Sequence, residues 1–239
     1  MFIHASWILI GRVGVLLLML FVLQAAGEDN SEQPGRTSVK SSAQAETTLK
    51  NWPSFRGPNA HGHAAHSKPP LNWNAADGTG ILWKIALPKH GMSSPIAWGD
   101  RILLTGADED SRQLYCIDAD SGKLRWQHDV TGVPGSPDDG IIPDVLEETG
   151  YAAPTPATNG KYVAAVFATG ELVCVNLEGK RIWIKHLGVP HNHYGHASSL
   201  LCHGNLLFVQ YDQKEKSQLL AFDLASGNRV WQAKRGAMS

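Results

Sequence analysis

The chain has 239 residues, with 21 basic and 22 acidic side chains, a formal net charge of -1 and 43% apolar residues. That balance argues against a nucleic-acid-binding surface, and three cysteines without a CxxC pair argue against a disulfide framework. The 24 Gly and eight Trp point instead to many short strands, tight turns and large aromatic packing units in one large or two small domains.

The N-terminus comes first. Arg12 precedes an unbroken apolar run, VGVLLLMLFVL (13–23), then QAAG and charged residues from Glu28. This run matches the core of a signal peptide and falls short of the roughly 20 residues that span a bilayer. Residues 1–26 therefore read as a signal peptide or, counted back to Trp7, a signal anchor, which is the chain's one expected relation to a membrane. The body is expected to be exported, to the periplasm or cell envelope. Residues 27–50 are rich in Ser, Gln, Thr, Glu and Lys and hold no aromatic residue, so a disordered linker is expected there, with order from Asn51.

From Asn51 onward the chain repeats. LYCIDADSGKLRW (114–126) returns as LLAFDLASGNRVW (219–231), and one residue shorter as LVCVNLEGKRIW (172–183). The closing tryptophans Trp83, Trp126, Trp183 and Trp231 are spaced by 43, 57 and 48 residues, near the length of a four-stranded propeller blade. Four strands can be laid out in each unit between turn signals. The first unit gives 93–98, 101–107, 113–119 and 123–130; the second 155–158, 161–168, 172–177 and 180–187; the third 197–202, 206–212, 218–224 and 228–233. The long spacing comes from TGVPGSPDDGIIPDVLEETGYAAPTP (131–156), which reads as an inserted loop on one face. The fold class is therefore all-β, about three four-stranded blades of a propeller over residues 51–239.

Each repeated residue has a physical reason. A four-stranded sheet cannot bury both faces alone, so each blade must stack on a neighbour, and a Trp on the outermost strand suits that contact. Gly122, Gly179 and Gly227 take turn conformations that a side chain would obstruct, and Asp118, Asn176 and Asp223 can cap the same turns. Cys116 and Cys174 occupy the place of Ala221, so they read as small buried apolar residues. The docking set is thus Asp118, Gly122, Trp126, Asn176, Gly179, Trp183, Asp223, Gly227 and Trp231, all structural.

These elements resemble the tryptophan-docking motif of the quinoprotein-like (PQQ-like) propeller repeats. NWPSFRGPNAHG (51–62), WKIALPKHGMSSPI (83–96) and YAAPTPATNGKYV (151–163) are similar to the exported PQQ-like propeller proteins of planctomycete-type bacteria. The resemblance implies a propeller of seven or eight blades, either a dehydrogenase using pyrroloquinoline quinone (PQQ) or a non-enzymatic scaffold of envelope assembly. RGAMS at the C-terminus lines up with HGMSS (90–94), so the sequence reads as the N-terminal part of a longer propeller or a truncated product.

Dehydrogenases of that family carry a vicinal Cys–Cys ring, a Ca2+ held by carboxylate and amide oxygens, and an Asp base, and no such set is legible here. Two histidine groups, His61, His63 and His66, and His186, His191, His193 and His196, hold imidazoles but no carboxylate or Cys close by, so no metal site is assigned. Ser93, Ser94, Ser198 and Ser199 recur, as small residues at the start of innermost strands should, whereas a catalytic serine is needed once. No catalytic residue and no cofactor is assigned. The expectation is a non-catalytic module that binds a protein or small ligand on the propeller face, and the alternative is the N-terminal part of a dehydrogenase using PQQ and Ca2+.

Overall fold

Short strands follow one another through three separate antiparallel sheets, each a meander of four. They come from a computed structural model, which describes residues 46, 47, 49–65, 67–137 and 145–236. The expected signal segment, most of the linker, His66 and residues 138–144 of the inserted loop lie outside the described residues. The first described residue is Glu46, whose carboxylate accepts from Lys50 Nζ at 2.8 Å.

The first blade holds β1 (Ile96–Trp98), β2 (Arg101–Ala107), β3 (Arg112–Asp118) and β4 (Leu124–Asp129). The second holds β5 (Ala157–Thr158), β6 (Tyr162–Val166), β7 (Glu171–Asn176) and β8 (Arg181–His186). The third holds β9 (Leu201–His203), β10 (Leu206–Tyr211), β11 (Gln218–Asp223) and β12 (Arg229–Lys234). This is the all-β partial propeller of three blades that the spacing of turns and tryptophans predicts.

Register repeats as closely as sequence does. Trp126, Trp183 and Trp231 pair across the ladder with the small residues Cys116, Cys174 and Ala221. In every blade a bulge follows that pair, between Cys116 and Ile117, Cys174 and Val175, and Ala221 and Phe222. The bulge turns the outer strand locally and aims the indole away from its own sheet.

Two apolar cores lie between the sheets. Ile96, Leu103, Leu114 and Cys116 of the first blade pack with Val163, Ala165, Val173 and Val175 of the second, with Trp126 against them. Ala164, Val166, Leu172 and Cys174 of the second pack with Leu200, Leu207, Val209 and Phe222 of the third, beside Trp183. Alternate residues of β6 and β7 thus serve opposite neighbours, which is why 163–166 and 172–175 are apolar without a break instead of alternating with polar residues.

The innermost strands β1, β5 and β9 are shorter than the sequence suggests, because their leading residues hydrogen-bond to a neighbouring blade. Ser94 N–H donates to Thr155 Oγ1 at 3.0 Å, and Thr155 N–H donates to Ser199 Oγ at 3.2 Å. The segment ahead of the first blade adds to the same hub. Trp52 and Ala97 exchange two backbone hydrogen bonds of 2.8 Å, and Pro53 O accepts from Thr158 N–H at 2.9 Å. No helix among the described residues is long and apolar enough to cross a membrane.

Candidate functional site

A meander places its connections alternately at two ends. The β3–β4, β7–β8 and β11–β12 turns share one end with the β1–β2, β5–β6 and β9–β10 hairpins. The β2–β3, β6–β7 and β10–β11 hairpins share the other with the long connectors into β5 and β9.

At the turn end the repeat residues converge. Gly122, Gly179 and Gly227 have φ of 70, 81 and 70°, and a Cβ at each would lie 2.6 Å from the Cδ2 of Trp83, Trp126 and Trp183 respectively. Each indole therefore lies flat on bare backbone supplied by the following unit. The three indole N–H groups donate to the carbonyls of Ala119 (2.8 Å), Leu177 (3.0 Å) and Leu224 (2.8 Å), each one residue past the turn's Asp or Asn. Asp118 Oδ1 accepts from Ser121 N–H at 2.8 Å, Asp223 Oδ1 from Ser226 N–H at 2.8 Å, and Asn176 Oδ1 from Lys180 N–H at 2.8 Å. The Ser121 hydroxyl, then Arg125, hold the Asp118 carboxyl far below the usual carboxylate range. Trp231 takes the same position on β12, meets Phe208 in a tilted ring contact with centroids 5.8 Å apart, and remains 38% exposed.

The cysteines behave as apolar fillers. Burial pushes the Cys116 thiol up to about 11 and the Cys174 thiol up to about 12, so neither is a thiolate at neutral pH.

The loop end differs from blade to blade. Its hairpins read ADEDSR (107–112), ATGE (168–171) and YDQKEKSQ (211–218). Two recesses flank the first hairpin. One of about 430 Å3 is bounded by His90, Asp108, Glu109, Asp110, Glu147 and Tyr151. The other, of about 520 Å3, is bounded by Glu109, Asp110, Arg112, Thr131, Ser136 and Glu171.

Arg112 and Glu171, only 8% and 2% exposed, bridge the first two blades beneath the second recess, with Arg112 Nε 3.6 Å from Glu171 Oε1. Arg112 Nε and Nη2 donate to Thr169 Oγ1 at 3.1 and 3.0 Å, and Nη1 donates to Glu109 O at 2.8 Å. The guanidinium lies over the Tyr151 ring, 5.6 Å from its centroid. Ser136 and Thr169 hydroxyls donate to the Glu171 carboxylate. A buried pair satisfied in this way is a structural cross-link, and its carboxylate is already engaged by three neighbours. Sequence reading gave no sign of this pair, because the partners lie 59 residues apart and neither belongs to the repeat.

The histidines are not gathered. His186 Nε2 lies 2.9 Å from Thr169 O, His196 is buried against Tyr211 with ring centroids 4.8 Å apart, and His191 and His193 are exposed. Among the described residues no three His, Cys, Asp or Glu side chains are placed to hold a metal ion. Ser93 Oγ accepts from Thr105 N–H at 3.2 Å, within its own blade, while Ser199 joins the hub ladder.

Residues 71–239 match a family model described as outer membrane protein assembly factor BamB. A search of curated proteins gave no match. Among solved structures, BamB from Moraxella catarrhalis aligns with 65% of this chain and 43% of its own, at 19% identity and a TM-score of 0.46. A europium-containing methanol dehydrogenase aligns with 80% of this chain and 34% of its own, at 15% identity and a TM-score of 0.56. The quinohemoprotein alcohol dehydrogenase from Comamonas testosteroni aligns with 80% and 30%, at 15% identity and a TM-score of 0.53. The chain thus spans less than half the length of each of these structures.

Proposed function

Since the chain belongs to the PQQ-like propeller family described as outer membrane protein assembly factor BamB, we propose that it is an exported, non-catalytic module whose loop end binds a protein. One observation carries this reading. The repeated residues, Trp231 excepted, cap turns or join blades at the turn end, while the loop end is where the three units diverge and where two recesses adjoin. Its division into a leader (1–26), a linker (27–50) and a propeller (51–239) is part of the same proposal.

Solved dehydrogenases share the fold, so a quinone with Ca2+ has to be tested against the residues present. Glu171 is the buried carboxylate of the loop end among the described residues, and its oxygens are held by Arg112, Thr169 and Ser136. A calcium–quinone group does not fit this set.

The test is site-specific photocrosslinking in envelope fractions. A crosslinker at Glu109, on the loop end, is expected to capture a discrete protein, and one at Asp120, on the turn end, is not. Equal capture at both positions refutes the assignment of the face. Dye reduction by the purified chain that requires both the quinone and Ca2+ refutes the non-catalytic reading. Export is tested separately by the mature N-terminus, expected near residue 27.

A further inference from the structure

Some loop-end side chains take no part in joining the blades. The β2–β3 hairpin exposes Glu109 and Asp110, which border both recesses. A turn at 146–149, in which Thr149 and Gly150 N–H donate to Leu146 O at 2.9 Å, exposes Glu147 and Glu148. Leu146 heads that turn and is 42% exposed. Its N–H donates at 3.0 Å to His193 O, beside Tyr194, which is 44% exposed. The bond ties the connector into β5 to the connector into β9, so this apolar pair lies over junctions that the chain itself completes.

The charges at this end divide by blade. Asp108 is paired with Lys89, Arg112 is committed to Glu171 and Thr169, and Asp129 accepts from the Gln113 and Gln127 amides. The carboxylates of Glu109, Asp110, Glu147 and Glu148 have no ion pair or hydrogen bond among the described residues. Of the other cations here, Arg235 is paired with Asp212, Lys185 stands on β8, and Lys214 and Lys216 share the third hairpin with Glu215. The open carboxylates are spread over two loops, and among the described residues no three His, Cys, Asp or Glu side chains are placed to hold one metal ion. Negative charge dispersed in this way suits positive charge dispersed along a polypeptide, and it repels nucleic acid and anionic lipid.

We propose that the loop end takes a basic, apolar protein segment, with a bulky apolar side chain packed on Leu146 and Tyr194 and Lys or Arg side chains reaching Glu109, Asp110, Glu147 and Glu148. The inference rests on the loop end being the binding face, and it names the chemistry of the partner. Recesses of about 430 and 520 Å3 on either side of the first hairpin have room for long side chains with water beside them. The apolar contact supplies affinity, while the exposed charges set encounter rate and the choice of partner.

Fluorescence anisotropy tests this on the full chain with three labelled peptides, Lys-Leu-Lys-Leu-Lys, Lys-Gly-Lys-Gly-Lys and Glu-Leu-Glu-Leu-Glu, across a range of salt. The first is expected to bind at least about tenfold more tightly than either of the others. Glu109→Gln combined with Asp110→Asn should weaken it about three- to tenfold and flatten its salt dependence. Leu146→Ser should weaken it by a similar factor and leave the Lys-Gly peptide unchanged, and Asp120→Asn at the turn end should alter neither. The substituted side chains are exposed, so the variants keep the fold. Binding of none of the peptides, equal binding of the Lys-Leu and Glu-Leu peptides, or an unchanged salt dependence in the double variant overturns the inference. If protein capture at Glu109 persists in that case, the loop end stands as the binding face; a loss in Asp120→Asn as large as in Leu146→Ser overturns both.

Discussion

Trp126 and Trp231 occupy the same register position on β4 and β12, but the first is sealed against the Gly179 backbone and the second is 38% exposed. Truncating a buried indole typically costs about 3–5 kcal/mol through lost burial and the cavity left behind. Trp126→Ala is expected to lose stability of that order in urea unfolding, and Trp231→Ala about 1 kcal/mol or less. Equal losses would mean that the indoles do not act through the blade joint. A second residue sets a pH dependence. Burial, opposed in part by the hydrogen bond to Gly188 O, lowers the His196 pKa to about 4. The folded protein then holds His196 neutral where the unfolded chain, with a pKa near 6.5, is protonated, so unfolding takes up a proton between these values. Stability should be fully retained above about pH 6.5 and fall by roughly 1–3 kcal/mol towards pH 4. His196→Gln should remove that part of the slope in denaturant midpoints measured across the same range.

Among the elements, the middle and outer strands could be read from sequence to within two residues. Asp-Ser-Gly (120–122), Asn-Gly (159–160) and Glu-Gly (178–179) mark turns, and alternate side chains follow the strand period. The inner strands could not. Residues 93–95, 155–156 and 197–200 lead directly into strand-like stretches and read as part of them, but their hydrogen bonds cross to a neighbouring blade or lie outside the ladder, which tertiary packing decides. The loop end was legible as an insertion, whereas the Arg112–Glu171 link beneath it was not, because an ion pair between blades leaves no periodic trace. Thr155→Val keeps the shape of one ladder residue and deletes the oxygen that receives Ser94 N–H. It should cost about 1–2 kcal/mol in thermal unfolding and speed amide exchange at Ser94 more than at Leu103, in the middle of β2. Unchanged exchange at Ser94 would show that the ladder is not load-sharing.

Among the described residues the second blade shares one core with the first and another with the third, so stability can be treated as a sum of blade and joint contributions. Weakening one joint should then split unfolding into stages. In Trp183→Ala, which empties the joint between the second and third blades, urea unfolding is expected to turn biphasic. Spectroscopic probes on β10 should report before probes on β3, and a single coincident transition would argue that the blades unfold as one body. The hub hydrogen bonds add a direction to this array. Ser94 gives its N–H to the Thr155 hydroxyl and Thr155 gives its own N–H to the Ser199 hydroxyl, so at both joints a backbone N–H of one blade meets a hydroxyl of the next, while Leu200 N–H returns a bond to Thr155 O at the second. A tandem duplication of one whole unit would arrive with both sides already correct, which lets such a gene lengthen or shorten by recombination without inventing a new interface.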